Sequence, residues 1–304
     1  MIALPYLGEL AALGTALCWA FSSLFFAAGG RRVGSVVVNR ARLVAAVVIL
    51  GTAHLVLLGS LFPHDASPQR LLWLALSAII GLVLGDSLLF QAYVMIGPRL
   101  GMLLYSLYPI SGALLAGLLL GEVLRPMDVA GMALALSGAI WVVFERAGHD
   151  DSRPQRQGQA LGALLALGGG VCQALGLVIA KQGLSGNFSA LSAMVVRLWS
   201  AMAFMWLLTA VQGQAGRTVS ALHHDRRAEL LILAGALAGP SLGAWLSLVA
   251  VQAVQVGIAS TLMAMSPVLL LPLVHWIYHE AITPRAMAGT ALAVAGIGLM
   301  FLHA

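Results

Sequence analysis

One aspartate, Asp86, stands inside an apolar stretch, flanked by Leu82, Val83, Leu89 and Phe90. A charged side chain at the centre of a membrane-crossing helix costs roughly 2.5–3.5 kcal/mol or more, so such residues usually face a cavity or a partner. A protonatable carboxylate there could pair with a ligand or carry a proton. Its plainer role is partner to an arginine. Tyr93, seven residues on, falls on the same helical face. Arg42 and Arg197 each lie about two turns inside an apolar stretch. A guanidinium offers a forked donor to a carboxylate or phosphate; it can also snorkel to the interface or tie helices together.

Uncharged stripes come next. Trp19, Ser22, Ser23 and Phe26 cluster near the N-terminus. Gly101, Tyr105, Tyr108 and Gly112 fall at helical spacing, as do Ser241, Trp245, Gln252 and Gln255. Ligand cavities are mostly apolar and aromatic with a few placed polar groups. Ser and Gln also glue membrane helices together, and for any one residue packing is the stronger reading. As a set the three stripes suit a cavity. The candidate substrate-binding residues are therefore Trp19, Ser22, Ser23, Arg42, Asp86, Tyr93, Tyr105, Tyr108, Arg197, Trp245 and Gln252, with Asp86 also the proton-coupling candidate.

Strings that resemble enzyme sites are weaker. Gly239-Pro240-Ser241-Leu242-Gly243 fits G-x-S-x-G, but the hydrolase elbow needs a strand-to-helix turn. A membrane hydrolase using Ser241 stays the enzymatic alternative; a non-transporting structural or lipid-binding subunit is the other. His275 and His279 sit four apart beside Glu280, without the H-E-x-x-H zinc pattern. No metal, cofactor or catalytic residue is expected. Cys18 and Cys172 lie inside apolar stretches and read as small packing residues.

The elements that carry these residues follow from composition. Of 304 residues, 61% are hydrophobic and only 9% charged, against roughly 25% charged in a soluble domain. So few charges cannot cover a water-exposed surface. A crossing helix needs ~20 apolar residues, and ten such stretches predict an all-α integral membrane protein. They are Leu7–Ala28, Val36–Leu61, Leu71–Val94, Gly101–Leu120, Met127–Phe144, Gln159–Gln182, Ser189–Gln212, Glu229–Ala253, Gly257–Tyr278 and Arg285–His303. Connections are short, and neither polar stretch (Glu145–Gly158, Gly213–Arg227) can hold a folded domain. The basic residues are scattered, which argues against a nucleic-acid partner.

The chain also repeats itself. A shift of 158 residues superposes Gly85 on Gly243, Pro109 on Pro267, Glu122 on Glu280, Pro126 on Pro284, Gly131 on Gly289 and Gly138 on Gly296. Nearer the start the shift is 154, with Cys18 on Cys172, and Arg42 falls on Arg197 at 155. Two five-helix units, 1–147 and 159–304, are thus joined by a linker at 148–158. Five is odd, so the second unit crosses the membrane in the opposite sense, a recurring build of secondary transporters. Connections after odd-numbered helices hold ten arginines, among them Arg31, Arg32, Arg226 and Arg227; those after even-numbered helices hold Arg70, Arg125 and Lys181. By the positive-inside rule the first set faces the cytoplasm and both termini face outward. Pro109 and Pro267 predict kinks inside spans. Gly131/Ala135/Gly138 and Gly289/Ala293/Gly296 predict close helix packing.

Four features resemble the drug/metabolite transporter superfamily, EamA type. They are Gly8-Glu9-Leu10-Ala11-Ala12-Leu13 leading to Cys18-Trp19-Ala20; Asn39-Arg40-Ala41-Arg42-Leu43; the Pro109…Gly121-Glu122…Pro126…Gly131 run with its repeat from Pro267; and the ten-span, two-copy plan. The resemblance implies a multi-pass plasma (inner) membrane protein, monomer or homodimer. It would export a small metabolite, an amino acid or related amphipathic compound, by alternating access. Two departures stand out: Gln173 occupies the place of Trp19, and His279 that of the glycine before the repeated glutamate.

Overall fold

The computed structural model describes residues 6–146, 159–186, 188–278 and 283–301, and every regular element among them is a helix. The linker at 148–158 and Glu280 lie outside the described residues. Large apolar side chains stand on the outer surface, with Leu118, Val123 and Val211 about four-fifths exposed at 82%, 80% and 79%. In water that surface would drive association; in a bilayer it is the ordinary outside of a helical bundle.

In the first half, α1 (Leu7–Val33) turns at Gly34 into α2 (Ser35–Leu58), and α3 (Pro68–Ala78) follows, capped by the Ser67 hydroxyl. A π-helical segment, Ile79–Gly85, then leads without a break into α4 (Asp86–Tyr105). After it come α5 (Tyr108–Leu120) and α6 (Pro126–Arg146). The second half runs α7 (Gln159–Gly183), α8 (Ala190–Val211), α9 (Ala215–His224), α10 (Arg226–Ala236), a π-helical segment Leu237–Gly243, α11 (Ala244–Ala253), α12 (Val256–Met263), α13 (Ser266–Tyr278) and α14 (Pro284–Phe301). Among the described residues seven helices are long and apolar enough to cross a membrane, and Tyr108–Leu120, Pro126–Val142 and Val256–Pro272 are shorter apolar helices.

The repeat is written into the element boundaries. Adding 158 to α3, to the first π-helical segment and to α5 gives α10, the second π-helical segment and α13, residue for residue. Both copies also break just before the matched prolines, at Ser106–Leu107 and at Ala264–Met265. The expected mid-span kinks are therefore corrected: Pro109 and Pro267 are each the second residue of a new helix. There a missing N–H leaves no helical bond unmade, whereas an interior proline would break one.

The first helix of each copy packs antiparallel on the third span of the other. Along α1, Gly8 meets Val254, Ser22 meets Gly239 and Gly29 meets Ile232. Along α7, Gly162 meets Ile96, Gly176 meets Gly81 and Gly183 meets Leu74. The two sets are repeat mates at shifts of 154 and 158. Helices α6 and α14, themselves repeat mates, also run antiparallel: Gly131 faces Met300, while Gly138 faces Ala293 and Gly289. Each copy thus completes the other's core through backbone-to-backbone contact that only small residues allow.

Two stretches depart from the expected elements. Continuous helix joins the third and fourth spans in Asp86–Tyr105, yet this stretch cannot be straight. Gly169 touches Gly85 and Leu89, while neighbouring Gly170 touches Tyr105 and Tyr108. In a straight helix Leu89 and Tyr105 would lie ~24 Å apart, so the chain doubles back between them. The polar stretch from Gly213 also carries a helix, α9, whose Leu222 packs against the cluster of Val38, Ala41 and Ile232 and whose Thr218 is buried.

Candidate functional site

The site begins where the first π-helical segment ends. Asp86 is the first residue of α4, and its carboxylate accepts a hydrogen bond from Arg42 Nη2 of α2. Arg42 is held on every side. Its Nε donates to Asn39 Oδ1 at 2.8 Å, one turn back on the same helix. The Phe26 and Phe90 rings each lie 5.9 Å from its guanidinium carbon, within the range of cation–π attraction. The Arg42 side chain is 5% exposed and that of Asp86 15%. The carboxylate is therefore the more exposed member of the pair. A π-bulge beside it fits the frequent placement of such bulges at functional sites.

Arg197 of α8 joins this centre from the other copy. It is 2% exposed, is attracted electrostatically by Asp86, and has an unpartnered Nε. A Cβ placed on Gly81 would lie 3.7 Å from Arg197 Nη2 and 3.6 Å from Gln173 Oε1, so both side chains converge on that glycine. Arg197 of the second copy thus lies near the Arg42–Asp86 pair of the first without forming an ion pair to it.

A cavity of about 220 Å³ opens beside the pair, lined among others by Asn39, Phe90, Ser87, Gln91 and Met205. Arg40, the other arginine at the head of α2, also lines it. Its guanidinium donates to Thr218 Oγ1, Gln212 Oε1 and Gln214 Oε1 at 3.0, 3.3 and 2.6 Å. Near it Arg32 pairs with Asp225 at 2.7 Å. Ala228 N–H, then the Arg32 guanidinium, hold the Asp225 carboxyl below the usual carboxylate range. These contacts sit at the end of α1, the start of α2 and the end of α8.

The ends of α5, α7 and α11 are tied differently. Lys181 Nζ pairs with Glu122 Oε1 at 2.7 Å and donates to the Val254 carbonyl, also at 2.7 Å. Glu122 Oε2 accepts Val256 N–H at 2.8 Å, capping α12, and Gln255 Nε2 donates to the Val123 carbonyl. The cavity mouth is thus at one end of the molecule, and a polar seam ties the two copies together at the other.

The remaining candidates divide. Trp19 packs over Gly239 and Gly243, and Ser22 Oγ donates to the Gly235 carbonyl at 2.8 Å. Ser23 bonds back to Ala20 in its own helix. Tyr108 OH donates to the Ser260 carbonyl at 2.9 Å, with the Tyr105 ring 5.5 Å from its own. Gln252 Nε2 donates to the Phe188 carbonyl at 3.0 Å, and Trp245 packs, half-buried, against the main core. The Ser22, Tyr108 and Gln252 polar atoms are therefore spent on joining helices. Tyr93 lies on α4, but its side chain is outside the described ones. Ser241 Oγ is buried and has no hydrogen-bond partner among the described residues. Asn39, Phe90 and Gln173 belong to the centre and were absent from the candidate set. Asn39 sits one helical turn before Arg42, and that spacing was the available signal.

The EamA-like transporter family profile matches the chain twice, over residues 6–144 and 160–302. A search of curated proteins finds no match. One solved structure, titled only "Crystal structure of protein", superposes with a TM-score of 0.76 at 20% identity, covering 99% of this chain and 98% of its own. At that identity the likeness shows the fold. The paired family matches fall on the two halves that the helix boundaries relate, and the chain is a multi-pass membrane protein that belongs to the EamA-like transporter family.

Proposed function

We propose that this chain is a secondary transporter of ten spans in two inverted copies, exporting a small amphipathic metabolite, an amino acid or a related compound, by alternating access. The observation that carries the proposal is the buried Arg42–Asp86 pair at the meeting of the copies, with a cavity on one side and the Lys181–Glu122 seam on the other. An odd number of spans per copy and the antiparallel packing of α6 on α14 support inversion. The arginine-rich end, where the cavity opens, faces the cytoplasm, and the termini face outward. Substrate enters there, and the seam opens when the copies rock.

Asp86 couples this cycle to protons. A charged Asp86 holds Arg42; a protonated one releases it and frees the cavity wall to rearrange. The test is flux of a radiolabelled amino-acid panel in proteoliposomes across a pH gradient. Wild type should respond to the gradient, and Asp86→Asn should carry substrate without that response. An equal response to pH in Asp86→Asn would overturn the coupling. Absence of gradient-sensitive flux for every compound would overturn transport.

A further inference from the structure

We infer that the ligand of this site carries a carboxylate, and that Arg197 with Gln173 receives it. The inference rests on the transport proposal for its setting, but its chemistry comes from a charge count. Arg42 and Arg197 bring two positive charges, and Asp86 brings one negative charge already bound to Arg42. One positive charge is left over, on a guanidinium that is 2% exposed. Among the described residues no carboxylate lies within ion-pair distance of Arg197, and its Nε has no partner. A buried charge is tolerated when it is paired and hydrogen-bonded. A ligand anion completes the pair.

The repeat shows what is missing. Arg42 and Arg197 are equivalent, but the mate of Asp86 is Ala244. The first copy supplies its arginine with an internal carboxylate; the second does not. A second divergence falls at the same place. Gln173 stands where the first copy has Trp19, and its amide lies beside the Arg197 head across Gly81. The guanidinium fork suits the two oxygens of a carboxylate, and Gln173, whose amide oxygen lies near the same glycine as the Arg197 head, can turn its NH2 to donate beside it. A single negative charge balances the site. An amine adds to the excess. The cavity wall includes Asn39 and Phe90, the two side chains that hold the Arg42 guanidinium.

The experiment uses the purified full-length chain in detergent with three acids of graded size, acetate, 4-methylpentanoate and 3-phenylpropionate. Each acid is compared with its neutral amide, and leucine with 3-methylbutylamine. At least one acid should raise the melting midpoint where its amide does not, and the amine should give no shift. Arg197→Gln should weaken binding of that acid by about tenfold or more, with partial retention in Arg197→Lys. Amides binding as well as acids, or an unchanged affinity in Arg197→Gln, would overturn the inference. Should Arg197→Gln not fold, the acid-against-amide comparison in the wild type decides alone. Flux measured on the same compounds separates the two proposals. Flux of amines or amides only leaves transport standing and removes the carboxylate. Acid binding without any flux does the reverse.

Discussion

Replacing Gly138 by Ala should loosen the α6–α14 pair. A Cβ there would lie 2.4 Å from Ala293 N and 2.5 Å from the Gly289 oxygen, where ordinary contact begins at 3.4 Å. The helices must therefore part by about 1 Å, because the obstructing atoms are backbone and cannot rotate away. Overfilling a packed interface costs ~1–3 kcal/mol, and here the upper end applies, since parting two helices loosens contacts along their whole length. Alanine returns at most ~1 kcal/mol of helix propensity, leaving a net loss of about 2 kcal/mol. Gly296→Ala, with Ala135 N at 2.4 Å, should behave alike. Gly298→Ala is the internal control, with nothing within 4 Å of the added methyl. Tryptophan fluorescence during thermal or detergent-induced unfolding reads the ranking. A Gly138→Ala protein as stable as Gly298→Ala would refute close backbone packing as the source of this contact.

Lys181→Met should unlatch the closed end. In a chain with Cys18 and Cys172 changed to Ala, a cysteine at buried Ser260 should label several-fold faster with a membrane-impermeant thiol reagent once Lys181 is lost; equal rates would mean the seam is no latch. Asp225→Asn probes pH. The folded-state carboxyl is depressed, so its contribution is fully present above the ordinary value of ~3.9 and is lost as pH falls through the folded value. The stability advantage of wild type over Asp225→Asn should thus hold at neutral pH and vanish in acid, read from melting curves across pH. Tyr108→Phe should cost only about 1 kcal/mol, because the Ser260 carbonyl it leaves also accepts Ala264 N–H; a much larger loss would mean the hydroxyl has another role.

What the sequence made legible was whatever depends on local chemistry or on counting. Long apolar stretches, the two copies and the family resemblance followed from hydropathy and spacing. So did the expectation that Asp86 needs a partner, because an isolated charge in lipid is too costly to leave bare. What it hid depends on tertiary fit. The π-helical segments carry no composition signal of their own; only the first-helix side chains that press on Gly81, Gly85, Gly239 and Gly243 single those glycines out. The Lys181–Glu122 pair was hidden because the two residues are remote in sequence and are brought together by the ends of α5 and α7. Serine and tyrosine stripes read as a cavity lining, yet Ser22 and Tyr108 reach backbone carbonyls of the other copy. Polar groups at a helix seam and at a ligand surface have the same spacing, so the pattern cannot separate them.

The separation comes from the repeat. Where a residue serves the scaffold, its mate across the shift is chemically similar: glycine with glycine at 85 and 243, cysteine with cysteine at 18 and 172, proline with proline at 109 and 267. These pairs make reciprocal contacts, Cys18 on Gly243 and Cys172 on Gly85. Where the mates differ, the packing constraint has been relaxed or replaced. Asp86 against Ala244 and Gln173 against Trp19 are two such differences, and both lie within reach of the two buried arginines. A scaffold built on a two-fold relation has no need to charge one side only. A ligand that enters a cavity lined mainly from one copy does, because its two ends must be told apart. The asymmetry of charge on a symmetric frame is therefore the strongest physical reason to look for substrate between Asp86 and Arg197 rather than among the aromatic stripes.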